Sequence, residues 1–339
     1  MKIVYVVESL EISGGVKVIV EHAEGLADRG HDVSIVTRDP RHDWIPIRVP
    51  VQGVHAFDAT TLPEADVHVA TWFPTVVPTV KAGRARRIFH LSQGYEVTSP
   101  NLADRIPEIE EAYAQAVPKL LISRHLLALL QPRYPGPYFV LPQAIRVTDY
   151  TPPAAARRTA GPPVIGVVGP FEAEGKGIRV ALRAARRLRD SGFDFLLSRV
   201  SQLPFPEAEK AIFLADRYLS GASVNQMVSW YRGLDLFIHP SFGGEGFPLP
   251  PLEAMASGVP VVLTSIASFD PIPADAVSRV TPGDDAGMAA AAAALLGDPA
   301  LCERRRTRGL EVVREFDLPN VIERLEKIIA SKTRVSPAR

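Results

Sequence analysis

The sequence has little of several things, and each shortage narrows the field. One cysteine, Cys302, excludes a disulfide framework and a cysteine-based zinc site. No apolar run approaches the ~20 residues of a membrane span, and the best candidates, such as residues 119–130, are interrupted by charge. The opening Met-Lys-Ile-Val-Tyr-Val-Val is too short for a secretion signal and reads as a strand, so the cytoplasm is the expected location, with at most peripheral contact to the inner face of a membrane. Net charge is absent too: 38 basic side chains meet 38 acidic ones. The halves balance separately, at −2 for residues 1–150 and +2 for residues 151–339, so neither is a basic nucleic-acid arm or an acidic tail. Lysine is scarce, 8 against 30 arginines, a bias to which no function attaches at this level.

What is present is alternation. Residues 2–7 form a β-branched run, Ser13-Gly14-Gly15 follows, and apolar residues at 16, 19, 20, 23 and 27 keep helical spacing until Gly30, before a strand at 33–37. That is a βαβ unit with a parallel sheet. Short apolar runs at 67–71, 87–91, 119–122 and 138–141 continue it, and 148–163, rich in Pro, Ala and Arg, reads as a linker. A second series has strands at 164–168, 193–197, 234–239 and 259–264, and helices at 176–191, 250–257, 286–296, 300–315 and 321–331. The predicted fold is α/β, with two doubly wound domains. The first spans 1–148, the linker 149–163, the second 164–320, and a last helix at 321–333 crosses back toward the first domain.

Three segments carry the chemistry. Ser13-Gly14-Gly15 leads into a helix N-terminus, whose N–H groups and dipole suit an anion, although neither G-x-G-x-x-G nor Walker A is there. The loop 169–177 is bounded by glycines, and Lys176 offers a point charge for a phosphate. The third is His239-Pro-Ser-Phe-Gly-Gly-Glu245-Gly246-Phe247-Pro248-Leu249-Pro-Pro-Leu-Glu253-Ala-Met-Ala-Ser-Gly258. A strand ends, a glycine loop carries Glu245, and a helix opening on Pro250 and Pro251 carries Glu253. Glu245 is too far back to share a helix face with Glu253, so the two address different parts of one elongated ligand, and carboxylates accept from the paired hydroxyls of ribose or hexose.

Glu245 to Glu253 resembles the E-x7-E signature of retaining glycosyltransferases of family 4, which have the GT-B fold of two Rossmann-like domains facing across a cleft. Residues 224–263, Pro282-Gly283-Asp284, Leu141-Pro142-Gln143-Ala144-Ile145 and Ser13-Gly14-Gly15 share the resemblance, which covers nearly the whole chain. It implies a metal-independent hexosyltransferase that uses a nucleotide-diphosphate sugar as donor substrate and no cofactor; no Asp-x-Asp pair is present. The acceptor, a glycan or glycoconjugate hydroxyl, would sit on the first domain, with polysaccharide biosynthesis as the setting.

By resemblance, Glu253 binds the ribose diol, Glu245 the hydroxyls of the transferred sugar, and Lys176 the diphosphate. Amides of Gly14 and Gly15 approach the same phosphates, and those of Gly246, Phe247 and Leu249 line the donor sugar. Gln93 stands near the reacting centre where relatives carry a histidine, with His90 as the other candidate, and Gln93-Gly94-Tyr95-Glu96 resembles the rhamnosyltransferase-like branch. Two departures stand out. Pro170 occupies the usual place of an arginine, for which Arg179 is a candidate substitute, and Pro248 removes one backbone N–H. The alternatives are a phosphorylase or epimerase of the same architecture, or a non-catalytic nucleotide-sugar-binding subunit.

Overall fold

The structure is a computed structural model that describes residues 1–151, 161–243, 247 and 249–331. It divides into two compact units. The first holds residues 1–144 and the final helix, Leu318–Ala330. Its seven strands are β1 (Lys2–Ser9), β2 (Asp32–Asp39), β3 (Val51–Gly53), β4 (Ala65–Thr71), β5 (Ala85–Ser92), β6 (Lys119–Leu121) and β7 (Tyr138–Val140). They lie in the order β3-β2-β1-β4-β5-β6-β7, every pair parallel. A parallel sheet covered on both faces needs near-continuous apolar strands, and Ile3, Val4, Tyr5 and Val6 of β1 are wholly buried.

The second unit holds residues 145–243 and 248–317. Its strands are β8 (Val164–Val168), β9 (Leu196–Ser201), β10 (Arg217–Ser220), β11 (Leu236–His239), β12 (Val261–Thr264) and β13 (Ser278–Val280). They lie in the order β10-β9-β8-β11-β12-β13, again all parallel. Both units are therefore Rossmann-like, doubly wound α/β domains. In each, the order reverses beside the first strand, between β1 and β4 and between β8 and β11; this is the switch point at which such sheets bind ligands.

Several details differ from the sequence reading. The expected linker start at 148–151 is instead a helical turn, Val147–Tyr150, because Tyr150 is buried and its turn is tied down. Ile145 N–H donates to Phe316 O at 3.0 Å, and Val147 N–H to Asp317 Oδ1 at 3.1 Å, so the second unit begins at residue 145, four residues before the expected linker, and is closed by its own ends. The rest of that linker, 152–160, lies outside the described residues, as do 332 and 333. The last helix starts at Leu318 and packs within the first unit, where Glu326 accepts from Arg29 at 2.7 Å and lies 2.8 Å from His31 Nε2. The strand expected at 193–197 runs from Leu196 to Ser201. Helix Phe73–Ala82 is not among the expected elements; its Pro74 falls in the first turn, where a missing N–H costs little, and Pro78 is tolerated inside. Strands β3 and β13 are three residues long and β10 is four, too short to show a period.

The arginines near residue 183 are exposed, and two of them are paired within the unit. Arg183 and Arg187 share the carboxylate of Asp285 at 2.7 and 2.9 Å. Among the described residues, no helix is long and apolar enough to cross a membrane.

Candidate functional site

At the switch point of the second sheet, two loops are stitched together. The loop after β8 runs from Gly169 through the 3-10 turn Glu174–Lys176 to helix Ile178–Asp190. The segment after β11 follows His239. Phe242 N–H donates to Gly175 O at 2.9 Å, which joins them. Gly177 allows the approach: its φ is +66°, and a Cβ there would lie 2.0 Å from Pro240 O, so only glycine fits. Lys176 is half-buried on this joined surface.

Beneath it lies an arginine that sequence reading passed over. Arg199, on β9, is fully buried, and its guanidinium donates to Val167 O at 3.1 Å and Gly169 O at 3.0 Å. Glu209, equally buried, accepts from it at 2.7 Å. The pair fixes the carbonyls at the carboxyl end of β8, where the loop begins. A charge inside a strand was the signal, but the strand expected at 193–197 stops short of it. Arg179, the candidate substitute for an arginine at 170, lies with its guanidinium carbon 3.9 Å from the Phe171 ring centroid, a cation–π contact at the start of the same helix.

Glu253 lies on helix Leu249–Ala256 and is only 6% exposed. Its Oε1 accepts from the Tyr150 hydroxyl at 2.7 Å. Tyr150 is held in turn, because Arg232 donates to Asp149 O at 2.6 Å, Thr151 O at 3.1 Å and Tyr150 O at 3.3 Å. One carboxylate oxygen is thus set by a chain of contacts that starts on helix Val224–Arg232. Nothing in the local sequence links Tyr150 to Glu253, 103 residues away. The Phe247 and Leu249 side chains are buried. Glu245, Gly246 and Pro248 lie outside the described residues. His239 is buried, and its Nε2 lies 3.1 Å from Ser241 Oγ.

At the switch point of the first sheet, a pocket of about 340 Å³ opens at the carboxyl ends of β1, β4 and β5. Helix Gly14–Asp28 begins at its wall. Ser13 is its N-cap, and Ser13 Oγ accepts from Val16 N–H at 3.1 Å. Gln93 faces the pocket and donates to Gly15 O at 3.1 Å; a Cβ on Gly15 would lie 3.3 Å from Gln93 Nε2, so the glycine lets the amide come close. Gly14 is the first residue of the helix, and Gly15 and Ser13 line the pocket.

His90 does not share that wall. It is fully buried, neither ring nitrogen has a hydrogen-bond partner, and Tyr113 lies 4.8 Å from it between ring centroids. Burial, helped by the Lys119 charge, lowers its pKa to about 3, so it is neutral. Glu96 does line the pocket. Burial pushes its carboxyl up to about 6, with the Tyr113 hydroxyl 2.8 Å from its Oε2. Trp72 and Glu8, which sequence reading did not single out, complete the wall. Among the described residues, no group of three His, Cys, Asp or Glu is placed to hold a metal ion.

Comparison with known proteins adds to this geometry. Residues 162–298 match the family described as glycosyl transferases group 1. The chain is 43% identical over 89 residues to the lipopolysaccharide core biosynthesis mannosyltransferase LpsB of Rhizobium meliloti, a match that spans 25% of each chain. It is 26% identical over 346 residues to a phosphatidyl-myo-inositol mannosyltransferase of Mycolicibacterium smegmatis, across 91% of this chain and 88% of that one. In fold it is similar to the Anabaena protein Alr3699/HepE, solved with UDP and glucose, with a TM-score of 0.78 at 15% identity over 98% of this chain and 100% of that one. It is equally similar to the sucrose-phosphate synthase of Thermosynechococcus elongatus, with a TM-score of 0.78 at 18% identity over 96% and 98% of the two chains. Residues 162–298, which carry the second sheet, thus resemble the group 1 glycosyltransferases.

Proposed function

We propose that the chain is a retaining, metal-independent glycosyltransferase. It takes a hexose-type sugar from a nucleotide-diphosphate donor bound by the second unit and passes it to a glycan or glycoconjugate hydroxyl bound by the first. The observation that carries this reading is Glu253: a buried carboxylate, aimed by Tyr150, at the switch point of the sheet whose loops carry Lys176. A ribose diol needs such a fixed acceptor, and a diphosphate needs a cation beside backbone N–H groups.

The chemistry follows from where charge develops. As the glycosidic bond breaks, the departing diphosphate gains negative charge, and Lys176 at the loop before helix Ile178–Asp190 stabilises it most in the transition state. Attack by the acceptor hydroxyl on the same face, with the leaving phosphate taking the proton, retains the anomeric configuration without a protein nucleophile. Glu245 and Gly246 are assigned to the transferred sugar by the sequence resemblance. The segment Gln93-Gly94-Tyr95-Glu96 supports a place near the rhamnosyltransferase-like branch. The names of the relatives support surface-glycan assembly as the setting, with peripheral membrane contact at most.

A thermal-shift screen against nucleoside diphosphates, followed by transfer assays with the matching nucleotide sugars, tests this. At a 100-fold excess over Kd, the right nucleotide adds about 2.7 kcal/mol of stability. Lys176→Ala is expected to lower turnover about hundredfold, and Glu253→Ala to abolish the nucleotide shift. If Glu253→Ala left binding and turnover of every nucleotide sugar unchanged, the donor assignment would be wrong.

A further inference from the structure

The second sheet ends on β10, which pairs with β9 alone, so its other edge carries no strand. A bare edge offers backbone donors and acceptors to another chain. The chain around this one is apolar where water reaches it. Leu214, just before β10, is 57% exposed, more than any other large hydrophobic side chain described, and Leu203, just after the parallel β9, is 40% exposed. Phe205 sits edge-on to Tyr218 of β10, 5.1 Å between ring centroids, and the Tyr218 hydroxyl donates to Leu203 O at 3.1 Å. Apolar side chains thus stand at both ends of one edge, and a contiguous exposed patch marks an association surface.

Most of the charge nearby is spent. Lys210 pairs with Glu207 at 2.6 Å, and Arg186 donates to Ala211 O at 3.2 Å. Arg189 donates to Phe195 O at 2.6 Å, with its guanidinium carbon 4.5 Å from the Phe195 ring centroid. Arg217, exposed on β10, has no ion-pair partner among the described residues. Asp216 beside it accepts from Leu197 N–H at 2.7 Å and lies 3.8 Å from Arg189, yet its side chain stays 35% exposed. In order, the residues are Leu214-Ala215-Asp216-Arg217-Tyr218-Leu219. Laid against a reversed copy of itself, this segment sets Leu214 opposite Leu219, Ala215 opposite Tyr218 and Asp216 opposite Arg217. It is its own complement in charge and in apolarity. A two-fold contact needs that property, because residue i must meet j where j meets i.

We infer that a second copy of the chain docks on this edge, as a two-fold dimer in which residues 214–219 of the two copies run antiparallel. Leu214 of each copy is then covered by the partner's Leu219. The two Asp216–Arg217 pairs set the register, since opposite charges across antiparallel strands attract and like charges repel. A slip of one residue either way would bring Arg217 against Arg217 or Asp216 against Asp216. One short edge buries little area, so the dimer is reversible, with a dissociation constant in about the micromolar range.

Sedimentation velocity on the full chain tests this. Between about 1 and about 100 µM, the mass should rise from 36.9 kDa toward twice that value. Leu214→Glu changes a side chain that is mostly in water, so the fold survives it, and it should weaken association about tenfold or more. Arg217→Glu should do the same by setting acid against acid. Asp216→Lys sets base against base and should also stay monomeric, with circular dichroism to show that it folds without its bond to Leu197. A mixture of the Arg217→Glu and Asp216→Lys chains should then associate, because the two acids of one meet the two bases of the other. A wild-type chain that stays monomeric throughout that range overturns the inference. So does a dimer that either Leu214→Glu or Arg217→Glu leaves intact, since it would lie on another face. Two folded charge variants that fail to associate when mixed overturn the register, and the two-fold contact with it.

Discussion

The two switch points are built from opposite materials. In the second sheet, the surface is mostly backbone: a glycine-bounded loop, one lysine, and a carboxylate buried and set by a tyrosine. In the first, it is mostly side chain: an exposed indole, an amide and carboxylates around a cavity. The same α/β frame thus offers N–H groups and a cation in one place, and acceptors with an aromatic face in the other. Backbone surfaces suit a ligand that recurs in one form, such as a diphosphate. Side-chain surfaces suit one that varies between related enzymes.

The largest expected effect tests the foundation under the backbone surface. Arg199→Met leaves Glu209 buried and unpaired, and should cost about 3–5 kcal/mol in urea unfolding. Pairing it with Glu209→Leu should restore most of the stability. If the single variant is no less stable than wild type, the buried pair does not hold the β8 loop. A smaller effect is expected one layer out. Tyr150→Phe removes a hydroxyl that donates to the buried Glu253 carboxylate, at a cost of about 1–2 kcal/mol. Calorimetric titration with the nucleotide found by the screen should show weaker binding, and an unchanged Kd would mean Tyr150 does not aim Glu253.

The smallest effect belongs to the first unit. Burial raises the Glu96 carboxyl from 4.5 to about 6. A carboxyl raised on folding contributes its stability below the unfolded value, and that contribution is lost as pH rises through about 6. Glu96→Gln should therefore be more stable than wild type by about 1 kcal/mol near pH 8, with no such gain near pH 4. An equal effect at both ends would show that Glu96 is not held in a desolvated wall, and the contrast between the two surfaces would weaken.

Much of this architecture was legible in the sequence, for identifiable reasons. Strands β1 and β8 are uninterrupted apolar runs, and the helix after Ser13 announces itself by cap and spacing. Loop 169–177 and Glu253 were legible because glycine, proline and a lone charge punctuate the chain there. Other parts were not. Three edge strands are too short for a period, and two prolines hid helix Phe73–Ala82. Trp72 gave no sign, because positive φ in a tryptophan is imposed from outside by Thr75 and the ends of the sheet. The linker reading failed at Tyr150 because the partner that buries it comes a hundred residues later.

The arginine bias finds a use at the same joints. Arg199 spans the carbonyls of Val167 and Gly169, Arg232 those of residues 149–151, and Arg279 those of Phe269 and Ile272, both at 2.7 Å. Each is a planar fork with several donors that bridges two or three acceptors at once, where an ammonium reaches them only as a point charge. For anyone re-engineering this chain, the arginines therefore fall into two stocks. Those on helix faces, such as Arg183, can be traded for lysine to change solubility or crystal packing. The three that clasp turns are fasteners, and a lysine in their place would leave carbonyls open and the loops they hold free to drift.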